Sequence, residues 1–144
     1  MGEGRSPELI RDGMEGAVIT YNERTGILKY AGSFNPQLVV HNGVLTEIRG
    51  DRTPIGYSDV SQQFSCRDLQ LEHGDMVYLF TDGYTDQFGG EMNKKYMISR
   101  MREFIPSISG LSVEEQKESL RANFLSWKGN QEQTDDVLVL GLRF

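Results

Sequence analysis

Four aspartates stand where the chain enters or leaves strand-like runs, and carboxylates in such places can bind hard cations or share a proton. Asp82 follows the apolar run "MVYLFT" (76–81), within "YLFTDGYTDQFGG". Asp135 and Asp136 precede a second apolar run, "VLVLGLRF" (137–144), and Asp12 lies just ahead of the first strand-like segment. If the two apolar runs are antiparallel neighbours, the end of one and the start of the other share a sheet edge. Strands pair roughly 4.8 Å apart, so Asp82 converges there with Asp135 and Asp136, and Asp12 is placed to join them. Converging carboxylates repel unless a divalent cation or a shared proton neutralises them. Oxygen-only ligands select magnesium or manganese over zinc or copper. Asp and Gly are also ordinary turn formers just past strand ends. The residues alone therefore leave Asp82 evenly divided between turn former and ligand. Asp86 reads as a solvated loop residue, with support of Asp82 as its alternative role. His41 and His73 read as surface residues, and Cys66 as a small buried hydrophobe.

The elements that must position these carboxylates are β-rich in the first half. "AVITYN" (17–22) and "ILKYAG" (27–32) flank a short loop ending in Gly26 and predict a hairpin. "QLVVH" (37–41) and "VLTEI" (44–48) flank Asn42-Gly43, which suits the positive φ angles of a type I′ turn. Asn35-Pro36 breaks the chain between the hairpins. "QFSCRDLQL" (63–71) predicts a strand paired across "EHGD" with 76–81. The run 76–81 is apolar on both faces, which makes it a central strand covered on both sides. The run 137–144 reads as a second buried strand.

The period then changes. Met97, Ile98, Met101, Phe104 and Ile105 recur at helical spacing over 93–105. Ser112 and Glu115 form a capping box ahead of a helix over 112–127, whose face carries Val113, Leu120, Phe124 and Trp127. Gly129 suits its exit. Hairpins followed by helices and a last strand predict an α+β fold with antiparallel sheets.

Composition excludes several functions. The 144 residues suit one domain, with 1–11 a boundary or leader, 12–91 β-rich, 92–130 helical and 131–144 the last motif and strand. The 21 acidic against 15 basic residues, net −6, leave no Lys/Arg stripe for nucleic acid and none for an anionic membrane surface. No apolar run approaches the ~20 residues of a membrane span. One cysteine permits neither an internal disulfide nor a zinc cluster, and a cytoplasmic setting is expected. The glycines form neither a P-loop nor a dinucleotide fingerprint.

Four ordered stretches, "DGMEGAVITYNERTGILKYAGSFNPQLVVHNG", "GDRTPIG", "GDMVYLFTDGYTDQFGG" and "QTDDVLVLGLRF", together resemble the C-terminal part of the stage II sporulation protein E family. These are bacterial metal-dependent phosphatases of the type-2C serine/threonine class. The resemblance implies a β-sandwich of two antiparallel sheets with flanking helices. It also implies a site for two Mn2+ or Mg2+ ions at one edge, where a water activated by the ions attacks the phosphoserine phosphorus. Carried over residue by residue, Asp82 of "TDG" and Asp135 of "TDD" become metal ligands. Asp136 supports Asp135, Asp12 is an accessory contact, and Gly83 and Asp86 lie beside the ligand. The segment 93–127 corresponds to the part that shapes substrate access.

The chain departs from the family pattern in one respect. The family's Asp-x-x-Gly-His-Gly-type motif, whose aspartate bridges both metals, is missing. The expectation is an incomplete, C-terminal portion of the sandwich that holds at most one metal weakly and is inactive by itself. Its exposed sheet edges predict a homodimer or higher oligomer. In the complete protein the resemblance implies an upstream sensor or regulatory domain, and a phosphorylated regulatory protein such as an anti-sigma-factor antagonist as substrate. Two other readings stand beside this one. The first is a non-catalytic phosphatase-like module that binds a partner. The second is a phosphotransferase using Asp82 as nucleophile, which the hairpins disfavour because it wants a parallel sheet.

Overall fold

Apolar residues at both parities of a strand require cover on both faces, and two segments meet that condition. In β4 (Gln37–His41), Leu38 and Val40 face one way and Val39 the other. In β8 (Met76–Phe80), Met76, Tyr78 and Phe80 oppose Val77 and Leu79. The computed structural model, which describes residues 13–56 and 63–144, places both strands in the middle of a four-stranded antiparallel sheet. Its order is β11 (Val139–Arg143), β8, β4, β5 (Val44–Ile48). A three-stranded antiparallel sheet of β2 (Ala17–Asn22), β3 (Ile27–Gly32) and β7 (Arg67–Gln70) packs on one face of it. Between the sheets lie Leu28, Tyr30, Val39, Leu71 and Val77, all buried. Among the described residues no element packs on the far side of the smaller sheet, and β2 is exposed along nearly its whole length.

Helices cover the other face of the large sheet. α2 (Met97–Ile108) contributes Met101, Ile105 and Ile108, and α3 (Val113–Lys128) contributes Leu120 and Phe124, all packed with Leu38, Val40, Met76, Tyr78 and Phe80. Three minor pieces complete the described chain. β1 (Gly13–Met14) pairs with β6 (Ile55–Gly56), α1 (Asp82–Thr85) follows β8, and β9 (Phe88–Gly89) pairs with β10 (Lys94–Lys95). The fold is the expected antiparallel α+β sandwich with flanking helices.

Local signals explain most boundaries. Asn42 and Gly43 adopt φ of 48° and 78°, as a type I′ turn between β4 and β5 demands. The Ser112–Glu115 capping box forms in both directions, and Gly129 caps α3 at positive φ. Three expectations fail. The 63–71 and 76–81 segments do not form a hairpin. β7 pairs with β3 in the small sheet, whereas β8 pairs with β4 and β11. The intervening turn instead bonds the last strand's end, with Gly74 N–H donating to the Phe144 carbonyl at 2.6 Å and Phe144 N–H to that of Asp75 at 3.0 Å. The 137–144 run is not buried: among the described residues β11 lies at the edge of its sheet, and Leu138, Leu140, Gly141 and Arg143 are exposed. Cys66 is exposed rather than buried.

Helix and sheet are also joined by polar contacts. The buried Tyr78 hydroxyl donates to Gln116 Oε1 at 2.6 Å, and burial pushes that phenol up to about 12, so it stays a donor. Gln116 Nε2 in turn donates to the carbonyls of Ser109 and Leu111 in the α2–α3 turn. On β5, Glu47 accepts from Arg102 of α2 at 2.5 Å and from Arg49 at 3.0 Å. Partial burial pushes the Glu47 carboxyl up, but the hydrogen bonds from the two arginines outweigh it and leave the group below its usual range.

His41, at the end of β4, sets Nδ1 2.8 Å from Oδ1 of the buried Asp75, and the other Asp75 oxygen accepts from Glu72 N–H. The amide of Asn42 lies 3.0 Å from His41 Nε2, and the Glu72 carboxylate is 3.9 Å away. The hydrogen bond to Asp75, then attraction to Asp75 and Glu72, raises the imidazole pKa against a small desolvation penalty. A raised folded-state value means this stabilisation is fully present below the unfolded pKa, about 6.5, and is lost as pH rises through the folded one. His41→Ala is therefore expected to lower the melting temperature at acidic pH and to lose most of that deficit at alkaline pH. Thermal melts of both proteins across that range check it, and a deficit constant with pH contradicts it.

Candidate functional site

β8 ends at Phe80 because Thr81 leaves the ladder. β11 and β8 pair with Val139 opposite Phe80, so Thr81 and Leu138 come next. The Thr81 N–H still donates to the Leu138 carbonyl at 3.0 Å. The returning bond comes to the Thr81 side chain rather than to its carbonyl: Leu138 N–H donates to Thr81 Oγ1 at 2.9 Å. That hydroxyl donates onward to the Asp136 carbonyl at 2.8 Å. Freed from the ladder, the backbone turns directly into α1 at Asp82, with Thr81 as a cap whose side chain is engaged across the sheet instead.

The sequence expectation about geometry is met. The strand carrying Asp82 at its end and the strand carrying Asp135 and Asp136 at its start are antiparallel neighbours. Gly83 shows how closely the two ends meet. A Cβ built there lies 2.3 Å from the Asp136 carbonyl oxygen and 3.4 Å from the Asp135 carbonyl carbon. Only a glycine lets the first turn of α1 rest on that backbone. Asp82 is half-buried, and Asp135 and Asp136 are exposed. Asp135 Oδ1 accepts from Asp136 N–H at 2.7 Å, so one of its oxygens also shapes its own turn. Asp86 forms an ion pair with Lys95 at 2.9 Å, both half-exposed. Asp12 lies outside the described residues.

Two residues escaped the sequence reading. Glu15 comes close enough to the site for charge to act on it. Partial burial, then the negative charges of Asp82 and Asp86, raise its carboxyl pKa. Its proximity to Asp12 in "DGMEG" was the available signal. Gln87 is fully buried and ties the site's two halves together. Its Nε2 donates to the Glu132 carbonyl at 2.8 Å, in the segment leading to Asp135. Its own carbonyl accepts from Trp127 Nε1 and from Tyr96 N–H, both at 2.9 Å. A polar residue among aromatics and glycines, in "TDQFGG", was the only trace of this in the sequence.

α1 is held from behind by aromatic packing. Tyr84 is buried against Tyr96 and Phe124, with ring centroids 5.2 and 5.1 Å away, and its hydroxyl donates to the Leu120 carbonyl at 2.9 Å. Burial, then the neighbouring Tyr96, raises the Tyr84 phenol well above its usual value, so it acts as a donor only.

The donors at this edge are carboxylate oxygens, which match magnesium or manganese. Their number is short. Among the described residues no group of three His, Cys, Asp or Glu side chains comes together closely enough to hold an ion. Asp82 and Asp135 are thus not part of such a group among the described residues.

A family model described as stage II sporulation protein E matches residues 11–144. No curated protein matches the chain. Among solved structures, the PP2C domain of SiaA from Pseudomonas aeruginosa is 27% identical, with a TM-score of 0.83 over 90% of this chain and 51% of that one. The manganese-presoaked phosphatase domain of SpoIIE from Bacillus subtilis is 14% identical, with a TM-score of 0.63 over 90% and 56%. The RsbU and RsbW domains of a Mycobacterium tuberculosis protein give 19% identity and a TM-score of 0.64 over 88% and 35%. The chain therefore spans about half the length of the first two solved domains.

Gly83→Ala forces the backbone of Asp135 and Asp136 away from α1. The expected loss is about 1–3 kcal/mol, the usual range for overpacking. Gly110→Ala meets nothing within 4 Å and is expected to stay within about 0.5 kcal/mol of the parent. Urea unfolding of the two variants checks the contrast, and equal effects refute the close contact.

Proposed function

From membership of the stage II sporulation protein E family, to which the chain belongs, we propose that its carboxylate edge is one part of a metal-dependent protein serine/threonine phosphatase centre. The observation that carries this is the meeting of Asp82 with the Asp135–Asp136 turn across paired β8 and β11. Asp82 and Asp135 are the ligands in this reading. Asp136 and Gly83 fix the turn between them, and Asp86 with Lys95 lines the approach. Glu15 and Asp12 are the accessory carboxylates. A divalent ion held by Asp82 and Asp135 would lower the pKa of a coordinated water and neutralise phosphoryl oxygens.

The substrate class that fits is phosphoserine or phosphothreonine on a cytoplasmic regulatory protein, such as an anti-sigma-factor antagonist. The matched structure that joins RsbU and RsbW domains in one protein supports a setting of this kind. The polypeptide alone is expected to be inactive or nearly so, because two well-placed carboxylates do not hold two ions at a fixed separation. That shortage also favours a second reading, a non-catalytic phosphatase-like module that binds a partner.

The experiment is manganese-dependent hydrolysis of p-nitrophenyl phosphate, with manganese binding followed by calorimetry. Turnover near background is expected, together with weak binding that Asp82→Asn and Asp135→Asn each remove. Vigorous turnover abolished by Asp82→Asn would show that this polypeptide is a competent enzyme. Binding indifferent to both substitutions would remove the proposed site.

A further inference from the structure

Asn42-Gly43 is the one place in the chain where glycine follows an asparagine. The side-chain carbonyl of an asparagine is open to attack by the backbone nitrogen of the next residue, which closes a five-membered succinimide ring. A side chain on that next residue hinders the attack, and glycine has none. Every other asparagine of the chain precedes a residue that carries a side chain. The turn between β4 and β5 leaves the pair available. Both residues are exposed, and a Cβ built on Gly43 meets nothing within 4 Å. The ladder pairs His41 with Val44 and passes the turn by, so the Gly43 N–H meets no acceptor among the described residues.

His41 supplies what an ordinary Asn-Gly turn lacks. Its Nδ1 donates to Oδ1 of the buried Asp75 at 2.8 Å, which fixes the ring and leaves Nε2 towards the turn. Nε2 lies 3.0 Å from Nδ2 of Asn42, the atom that deamidation must release as ammonia. A neutral imidazole accepts a hydrogen bond from that amide. A protonated one has a proton to give it, once ring closure has turned the amide nitrogen into an amine. Asp75 and Glu72 are the charged groups that face the ring among the described residues, and both favour its protonated form.

We propose that Asn42 is a self-modification site, deamidated through a succinimide with His41 as the acid that releases ammonia. Water or hydroxide takes the Gly43 amide proton as that nitrogen bonds to Asn42 Cγ, and the carbonyl electron pair moves onto Oδ1. As the carbonyl re-forms, the Cγ–Nδ2 bond breaks. Nδ2 takes the proton of His41 Nε2 and leaves as ammonia, and solvent returns a proton to the ring. Water then opens the succinimide at either carbonyl. One water is consumed, one ammonia is released, and nothing is oxidised or reduced. The product at position 42 is aspartate or isoaspartate. Aspartate sets a carboxylate against His41 Nε2, so that both ring nitrogens then face one. Isoaspartate adds a carbon to the backbone of a two-residue turn, which the His41–Val44 register cannot absorb. The turn lies at the opposite end of β4 and β8 from the carboxylate edge, so the inference is independent of any phosphatase activity.

Mass spectrometry of the 144-residue chain during incubation tests this, with the rate of conversion read in the tryptic peptide 30–49. That peptide also holds Asn35, whose successor Pro36 has no N–H to attack, and so carries its own control. The folded parent is expected to convert at Asn42. Folded His41→Gln is expected to convert roughly tenfold more slowly, because no acid stands beside the leaving nitrogen. Circular dichroism checks that both are folded, and in urea the two chains should convert at one rate. Hydroxide drives both reactions, but only the parent has the acid. The ratio of parent to variant rates should therefore be largest at acidic pH and shrink as the imidazole loses its proton. Conversion of Asn42 in urea but not in the folded chain overturns the proposal, since the turn then protects the residue. A folded His41→Gln chain that converts at the parental rate at every pH also overturns it, since the imidazole then takes no part.

Discussion

Thr81 makes three hydrogen bonds to the residues leading into β11, and the geometry of the carboxylate edge depends on them. Its N–H reaches the Leu138 carbonyl, while its hydroxyl accepts from Leu138 N–H and donates to the Asp136 carbonyl. The side chain thus stands in for the residue's own carbonyl in the last rung of the ladder. This substitution lets the backbone turn into α1 without leaving Leu138 N–H unpaired, a loss that would otherwise cost about 1 kcal/mol. A valine has the shape to stay in the strand but neither the acceptor nor the donor. A serine has both, with a freer χ1 and a weaker hold on the strand.

The rest of the site is braced around that crossing. Gly83 lets α1 lie on the Asp135–Asp136 backbone, and Tyr84 buries the back of the same short helix under α3. One turn later Gln87 fastens the chain both to the segment before Asp135 and to Trp127 at the end of α3. Gly90 N–H completes the bracket by donating to the Trp127 carbonyl at 2.8 Å. Asp82 and Asp135 are 53 positions apart in sequence, and the whole helical layer between them is folded back to close that interval. The helices therefore act on the site chiefly as a frame. Unpacking α3 releases both of the segments that carry aspartates.

Local chemistry made much of this legible in the sequence. Asn42-Gly43 selects one turn type, Ser112 and Glu115 satisfy each other, and the double-sided apolar run of β8 demands cover on both faces. Each of these signals involves neighbours in sequence or a single strand. The errors came where a distant partner competed with a near one. "EHGD" has the composition of a hairpin turn, yet Gly74 and Asp75 bond to Phe144, and β7 crosses to the other sheet. The apolar run of β11 reads like that of β8, but its surroundings differ because among the described residues no strand lies beyond it in the sheet. Hydropathy reports what a strand prefers to touch and carries no information on whether the neighbour is in the same chain. Glu15 and Gln87 were missed for a related reason, since their roles are set by residues some 45 to 70 positions away.

The electrostatics of the edge set it apart from the rest of the structure. Elsewhere, charges close in space are matched: Glu47 with Arg102 and Arg49, Lys29 with Asp68, and His41 with Asp75. At the carboxylate edge Asp86 has Lys95, but Glu15 feels mainly burial and the negative charges of Asp82 and Asp86, which raise its pKa. Like charges gathered at one place oppose folding. Stability alone gives no reason to keep them there, because Asn or Ser would form the same turns without the repulsion. Thr81, Gly83 and Gln87 bring the aspartate-bearing segments together, and Glu15 lies close enough to Asp82 and Asp86 to feel their charge. A cation is the kind of ligand whose binding would turn the unfavourable term into a favourable one. In the proposed reading, the carboxylates at this edge are half of an interaction rather than part of the scaffold that presents them.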